Sequence, residues 1–224
     1  MDRRQFTVGL ASVALPASSV HALNLSETDA ASGVRVALER GAAAAVSLLG
    51  KTDGFLGNPL VRIPLPGFLK DASKLLKATG QGKKVDELVT AMNRAAEAAV
   101  PEAKALLTST VKALSVEDAL KIVRGSGTSV TDFFANKTRV PLGEKFLPIV
   151  TKATEKVSLA ERYNTLAAKA AGLGLVKGED ANVQQHVTTH ALNGLFLMIG
   201  EEEKKIRADP LRTGSEILKK VFGK

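Results

Sequence analysis

The sequence predicts an all-α fold, a compact multi-helix bundle with one long ordered loop between two of its helices. Three observations lead there. Apolar residues recur at helical spacing in one segment after another, no segment sustains the alternation of a β-strand, and capping residues, Gly and Pro punctuate the chain at helix-length intervals. Composition agrees: hydrophobic residues make up 45%, much of it Ala, Leu and Val, while aromatics reach only 4% and Trp is absent. Such a chain favours helices.

The first segment stands apart from the fold. Arg3 and Arg4 form a basic start, Phe6 to Ala17 is mostly apolar and small, and Val20 and Ala22 occupy the two positions a signal peptidase reads. The apolar run is too short to span a bilayer, and Pro16 interrupts it. The division expected is a cleaved export signal over 1–22 and a single all-helical domain over 23–224. Asp2-Arg3-Arg4-Gln5-Phe6 resembles a twin-arginine signal, with Thr7 and Val8 where Leu and Lys are common; the general secretory route is the alternative. Lipoprotein processing needs a cysteine at the new N-terminus, and the chain has no cysteine at all. A soluble periplasmic protein without a lipid anchor is the expected product.

The elements follow in order. Ser26-Glu27-Thr28-Asp29 caps a helix whose stripe Val34, Leu38, Ala42, Ala45, Leu49 stops at Gly50. Pro66 opens a second, with Phe68, Leu69, Ala72, Leu75 and Leu76, closed by Gly80. A third carries Val85, Leu88, Met92, Ala95 and Ala99, after which Pro101 either kinks it or begins a new helix through Leu106, Leu107 and Val111. Ser115-Val116-Glu117-Asp118 starts a short helix ending at Gly125. Two helices are expected next, a short one near Ser129–Ala135 and another over Leu142–Lys156 with Pro148 inside. Ser158-Leu159-Ala160-Glu161 is a capping box for a helix ending near Gly172, and Asn182 begins a long one with Val183, Val187, Ala191, Leu195 and Met198 on one face. Thr213-Gly214-Ser215-Glu216 caps a last helix bearing Ile217, Leu218, Val221 and Phe222.

Lys51 to Pro66 breaks this pattern with three prolines, two glycines and apolar residues that seek burial. Long irregular connections are often functional. The segment either wraps the bundle, with Phe55, Leu56, Val61 and Ile63 as plugs, or forms a ligand or partner site.

Several kinds of chemistry find little support. Gly50-Lys51-Thr52 ends like a phosphate-binding loop, but Ala45 stands where that motif needs Gly, and a helix precedes it. His186 and His190 share a helix face, yet Val187 replaces the Glu of a zinc-protease motif. No metal and no cofactor are expected. A nucleophile elbow is missing, so catalytic residues stay unknown and enzymatic activity uncertain. The formal net charge of +8 suits anionic partners, although lysines are interspersed with Glu as on solvated helix faces. Glu201 to Arg207 reads as a solvated, self-paired helix end with Glu201–Lys205 and Glu203–Arg207 pairs. The basic C-terminus has only Phe222 as an aromatic partner, which disfavours nucleic acid. Asn93-Arg94-Ala95-Ala96-Glu97 places polar groups in a densely apolar helix; Arg94 pairs with Glu97 one turn on or reaches Asp53 of the loop.

The segments from Gly50 to Pro59 and Val61 to Pro66, with Asn93 to Glu97, Glu117 to Leu120, Ala191 to Phe196 and Glu201 to Arg207, resemble an uncharacterised proteobacterial family, domain of unknown function 4197. The resemblance implies export and a helical fold, and brings no established activity. His186 and His190 depart from the aromatic and Lys residues expected there. The leading expectation is a non-catalytic periplasmic binding or structural protein. Its partner is an unknown protein or a small apolar or anionic ligand, held through Lys51, Asp53, Phe55, Asn58, Arg62 and Arg94. An enzyme acting on an envelope component through unassigned carboxylates is the alternative, and peripheral attachment to an anionic membrane is a third reading.

Overall fold

The computed structural model describes residues 27–69, 73–74, 77–125, 127–155, 157–172, 180 and 182–209. Among these the secondary structure is helical, without strands. The helices are α1 (Glu27–Leu49), α2 (Gly82–Ala99), α3 (Ala103–Lys112), α4 (Val116–Arg124), α5 (Ser129–Thr154), α6 (Ser158–Gly172) and α7 (Val183–Ala208). The expected signal segment and the expected last helix, Thr213 onward, lie outside the described residues. None of the described helices is long and apolar enough to cross a membrane.

Local chemistry explains most boundaries. The stripe Val34, Leu38, Ala42, Ala45, Leu49 of α1 is buried, and the helix closes as Gly50 N–H donates to the Val46 carbonyl at 2.9 Å. Ser115 Oγ accepts from Asp118 N–H at 3.0 Å to start α4, and Asn182 Oδ1 accepts from Gln185 N–H at 2.8 Å to start α7. Pro101 sits in a 3₁₀ turn over Val100–Glu102 that joins α2 to α3, so it begins a new helix. Of the helix expected after Pro66, the described part opens as a 3₁₀ turn over Gly67–Leu69.

The two helices expected over Ser129–Ala135 and Leu142–Lys156 are one continuous helix, α5, with Pro141 and Pro148 inside it. Each proline removes a helical N–H and would ordinarily end or kink the helix. Burial outweighs that cost here. Phe134, Thr138, Leu142, Phe146, Val150 and Thr154 recur every four residues and are wholly buried, so interrupting the helix would withdraw the whole stripe from the core.

Helix α7 packs antiparallel along α5. Glu203 meets the start of α5 at Val130, Gly200 lies against Thr131, and Asn193 Oδ1 accepts from Arg139 at 2.8 Å. The Arg139 guanidinium also covers the Phe196 ring, 4.9 Å from its centroid. Helices α1 and α2 flank this pair and share one apolar core with it. The 51–66 segment closes that core from the side.

Candidate functional site: the anchored 51–66 segment

The segment between α1 and the turn at Gly67 is ordered by successive turns. Gly54 N–H donates to Lys51 O (3.0 Å), Gly57 to Asp53 O (3.1 Å), and both Val61 and Arg62 to Asn58 O (3.2 and 2.9 Å). Asp53 turns the chain in the left-handed region (φ 64°), a conformation Asp tolerates better than most residues. Gly54 follows because the backbone doubles back onto α1. A Cβ there would sit 2.5 Å from the Leu49 carbonyl oxygen and 2.6 Å from that of Leu48.

Three side chains from the bundle then take up the segment's inward-facing backbone groups. Asn93, wholly buried on α2, accepts from Ile63 N–H at 2.8 Å and donates to the Ile63 carbonyl at 3.0 Å and to Val89 O at 2.8 Å. Its amide pairs with Ile63 as a neighbouring strand would. Glu97, one turn on, is also buried; its Oε1 accepts from Phe55 N–H (3.0 Å) and Leu56 N–H (3.1 Å). From α7, His186 Nε2 donates to the Pro64 carbonyl at 2.9 Å, while Nδ1 lies 2.6 Å from Asp180 Oδ1. Buried backbone groups must find partners, and these residues supply them without a β-ladder.

Arg94 joins the two sides of the network. It donates to Glu97 Oε2 at 2.6 Å and to Asp53 Oδ1 at 2.8 Å, so both partners expected from the sequence are bound at once. Hydrogen bonds to Glu97 and then to Asp53 hold its guanidinium pKa above the ordinary value. Arg94 is 38% exposed and Asp53 60%, so the outer ion pair faces solvent while Glu97 lies beneath it.

Phe55, Val61 and Ile63 point inward and are buried. Phe55 lies over Gly194 of α7. A Cβ at that glycine would meet Phe55 Cε1 at 2.8 Å and Val61 Cβ at 3.3 Å. The loop therefore packs closely on α7 at Gly194, and no larger residue fits there without moving one of them. Lys51, Arg62 and Leu60 face outward; Leu60 is 64% exposed and Asn58, half-buried, accepts from its N–H at 3.1 Å. Of the six residues expected at a site, Asp53 and Arg94 meet directly. Lys51, Asn58 and Arg62 lie on the outer side, and Phe55 forms part of the inner anchor.

His186 and His190 are neighbours with ring centroids 4.3 Å apart, but His186 is engaged at both nitrogens. Among the described residues no group of three His, Cys, Asp or Glu side chains stands close enough to hold a metal. Tyr163 completes the cluster, its ring centroid 6.3 Å from that of His186; burial, then Asp180, pushes its phenol pKa upward.

The Glu201–Arg207 stretch differs from its expectation. Glu201 pairs with Lys204 (2.7 Å) rather than Lys205, and Glu202 with Lys205 (2.6 Å), both at three-residue spacing. Glu203 is buried rather than solvated. Its carboxylate accepts from Val130 N–H at 3.2 Å and Thr131 N–H at 3.3 Å in the first turn of α5, and from Arg207 Nε at 3.0 Å, which is the pair expected. A carboxylate at a helix N-terminus satisfies amides that have no partner within the helix and opposes its dipole favourably. Sequence spacing held a signal for this residue: Leu195, Ile199 and Glu203 are four apart, so Glu203 is in phase with a buried stripe.

Neither the curated proteins nor the solved structures contain a match to this chain. Residues 24–223 match a family described as a protein of unknown function, DUF4197, and the chain belongs to that family.

Proposed function

We propose that this is an exported, periplasmic, non-catalytic protein whose helical bundle holds the 51–66 segment as a rigid platform for a partner. One observation carries the reading: the segment's inner backbone is fixed by Asn93, Glu97 and His186, while its outer side presents Lys51, Asn58, Leu60 and Arg62. A loop immobilised before binding loses little entropy when a partner arrives, which favours affinity. Its outer side pairs one exposed leucine with two cations, and Asp53 is paired with Arg94, which it shares with the buried Glu97. An acidic partner with an apolar contact suits that surface. Export is supported by the basic and apolar N-terminus and by the family match, which begins at residue 24, just past the expected cleavage after Ala22. Glu97 and Glu203, the two carboxylates buried among the described residues, each engage backbone amides and an arginine, which is the chemistry of anchoring rather than of proton transfer.

Site-specific photo-crosslinking from position 58 in the native periplasm tests this. A discrete adduct that disappears with Leu60→Asp or Arg62→Glu supports the platform. Adducts that ignore both changes, or that form only from the opposite side of the bundle, contradict it. The intact mass of the exported protein tests the processing, with cleavage after Ala22 expected.

A further inference from the structure

A second feature lies away from the platform's outer face. Helices α1 and α3 run antiparallel: Gly50 lies against Pro101, and at the other end Arg35 donates to the Leu114 carbonyl at 2.8 Å. Between these ends lies a groove of about 280 Å³. Its floor is apolar, with Ala42 and Val46 from α1 and Leu107 and Val111 from α3. The antiparallel register places Val46 opposite Lys104 and Glu39 opposite Val111, so the lining carries its cation at one end and its anion at the other, with Arg35 one turn beyond Glu39 held on the Leu114 carbonyl. Ala43 and Thr108, both exposed, form the rim between the two ends.

Size narrows the occupant. A helix with its side chains is about 10 Å across and does not fit so small a space. From Lys104 to Val111 is seven residues of helix, or about 10 Å, the length of an extended chain of about eight carbons. We propose that this groove binds a single-chain anionic amphiphile, its alkyl chain along Val46, Ala42 and Leu107 and its head on Lys104, with Thr108 Oγ1 at the rim. Glu39 repels an anionic head at the far end and so sets the orientation. The proposal concerns a different surface from the platform and stands independently of it.

Octanoate and octylammonium, titrated into the mature protein and followed by amide and methyl chemical shifts, provide the test. Saturable octanoate shifts confined to residues 39–46 and 104–111 are expected, with octylammonium at least tenfold weaker. Lys104→Glu is expected to weaken octanoate at least tenfold, and so is Ala43→Met, which fills the groove from an exposed rim position and leaves the thermal midpoint unchanged. Equal binding of the cation, or octanoate binding that survives Ala43→Met, overturns the proposal. Binding of anionic vesicles at these residues without saturable octanoate binding also overturns it, because the face would then belong to a membrane surface.

Discussion

Asn93 and Ile63, thirty residues apart, exchange two hydrogen bonds: the side-chain amide of one accepts from the backbone N–H of the other at 2.8 Å and donates to its carbonyl at 3.0 Å. This pairing fixes the far half of the 51–66 segment to α2. Replacing Asn93 by Ala leaves both backbone groups of Ile63 buried without their partner. The expected destabilisation is about 2–4 kcal/mol, read from urea unfolding midpoints. Asn93→Asp keeps the acceptor but loses the donor, and it too is expected to be destabilised.

The contact between Phe55 and Gly194 makes a second prediction. Gly194→Ala places a methyl group 2.8 Å from Phe55 Cε1, closer than packing permits. The ring lies wholly inside the protein and has little room to withdraw. Destabilisation of about 1–3 kcal/mol is expected, and the double variant with Phe55→Leu should recover part of it. Additive effects in that double-mutant cycle would contradict the contact.

Glu203 is expected to matter far more than its neighbours in the same charged run. Glu203→Ala strips the first turn of α5 of its acceptor and leaves Arg207 facing the gap, a loss of about 2–4 kcal/mol. Glu201→Ala removes only an outer ion pair with Lys204 and should change stability by about 0.5 kcal/mol or less. Thermal or chemical melts of the two variants separate the outcomes.

Tyr163 offers an optical reporter, because it is the only tyrosine in the chain and there is no tryptophan. Its phenol is raised above the ordinary value of 10.0, first by burial and then by Asp180. In that state the folded protein keeps the proton after the unfolded chain has lost it. The contribution to stability is therefore fully present below pH 10 and declines as pH rises beyond it. Phenolate absorbance is expected to appear only as the protein unfolds, and Tyr163→Phe should flatten the alkaline slope. Reversible ionisation near pH 10 in the folded protein would contradict this burial.

The legible and illegible parts of this fold divide along one physical line. Caps and stripes are local, so α4 and α7 can be placed from Ser115 and Asn182, and α1 from its apolar period. Arg94 was also legible, since a charged group in an Ala-rich helix must find partners and both Glu97 and Asp53 were within its reach. By contrast, the continuity of α5 through Pro141 and Pro148 depends on what its Phe134–Val150 stripe packs against, and proline chemistry alone points the other way. The same holds for the roles of Asn93 and His186. Their partners are backbone groups of Ile63 and Pro64, which carry no side-chain signature and lie 30 and 122 residues away. Glu203 was hidden among five charged neighbours, and only its phase with Leu195 and Ile199 sets it apart.

Everything proposed for the loop depends on its being held before any partner arrives. Native-state hydrogen exchange at the amides of Phe55, Leu56 and Ile63 tests that most directly, because these N–H groups donate to Glu97 and Asn93 rather than to a helix or sheet. Protection comparable to that of core amides in α7 is expected, lost selectively at Phe55 and Leu56 in Glu97→Ala and at Ile63 in Asn93→Ala. Exchange at the rate of an open surface loop in the unmodified protein would contradict it.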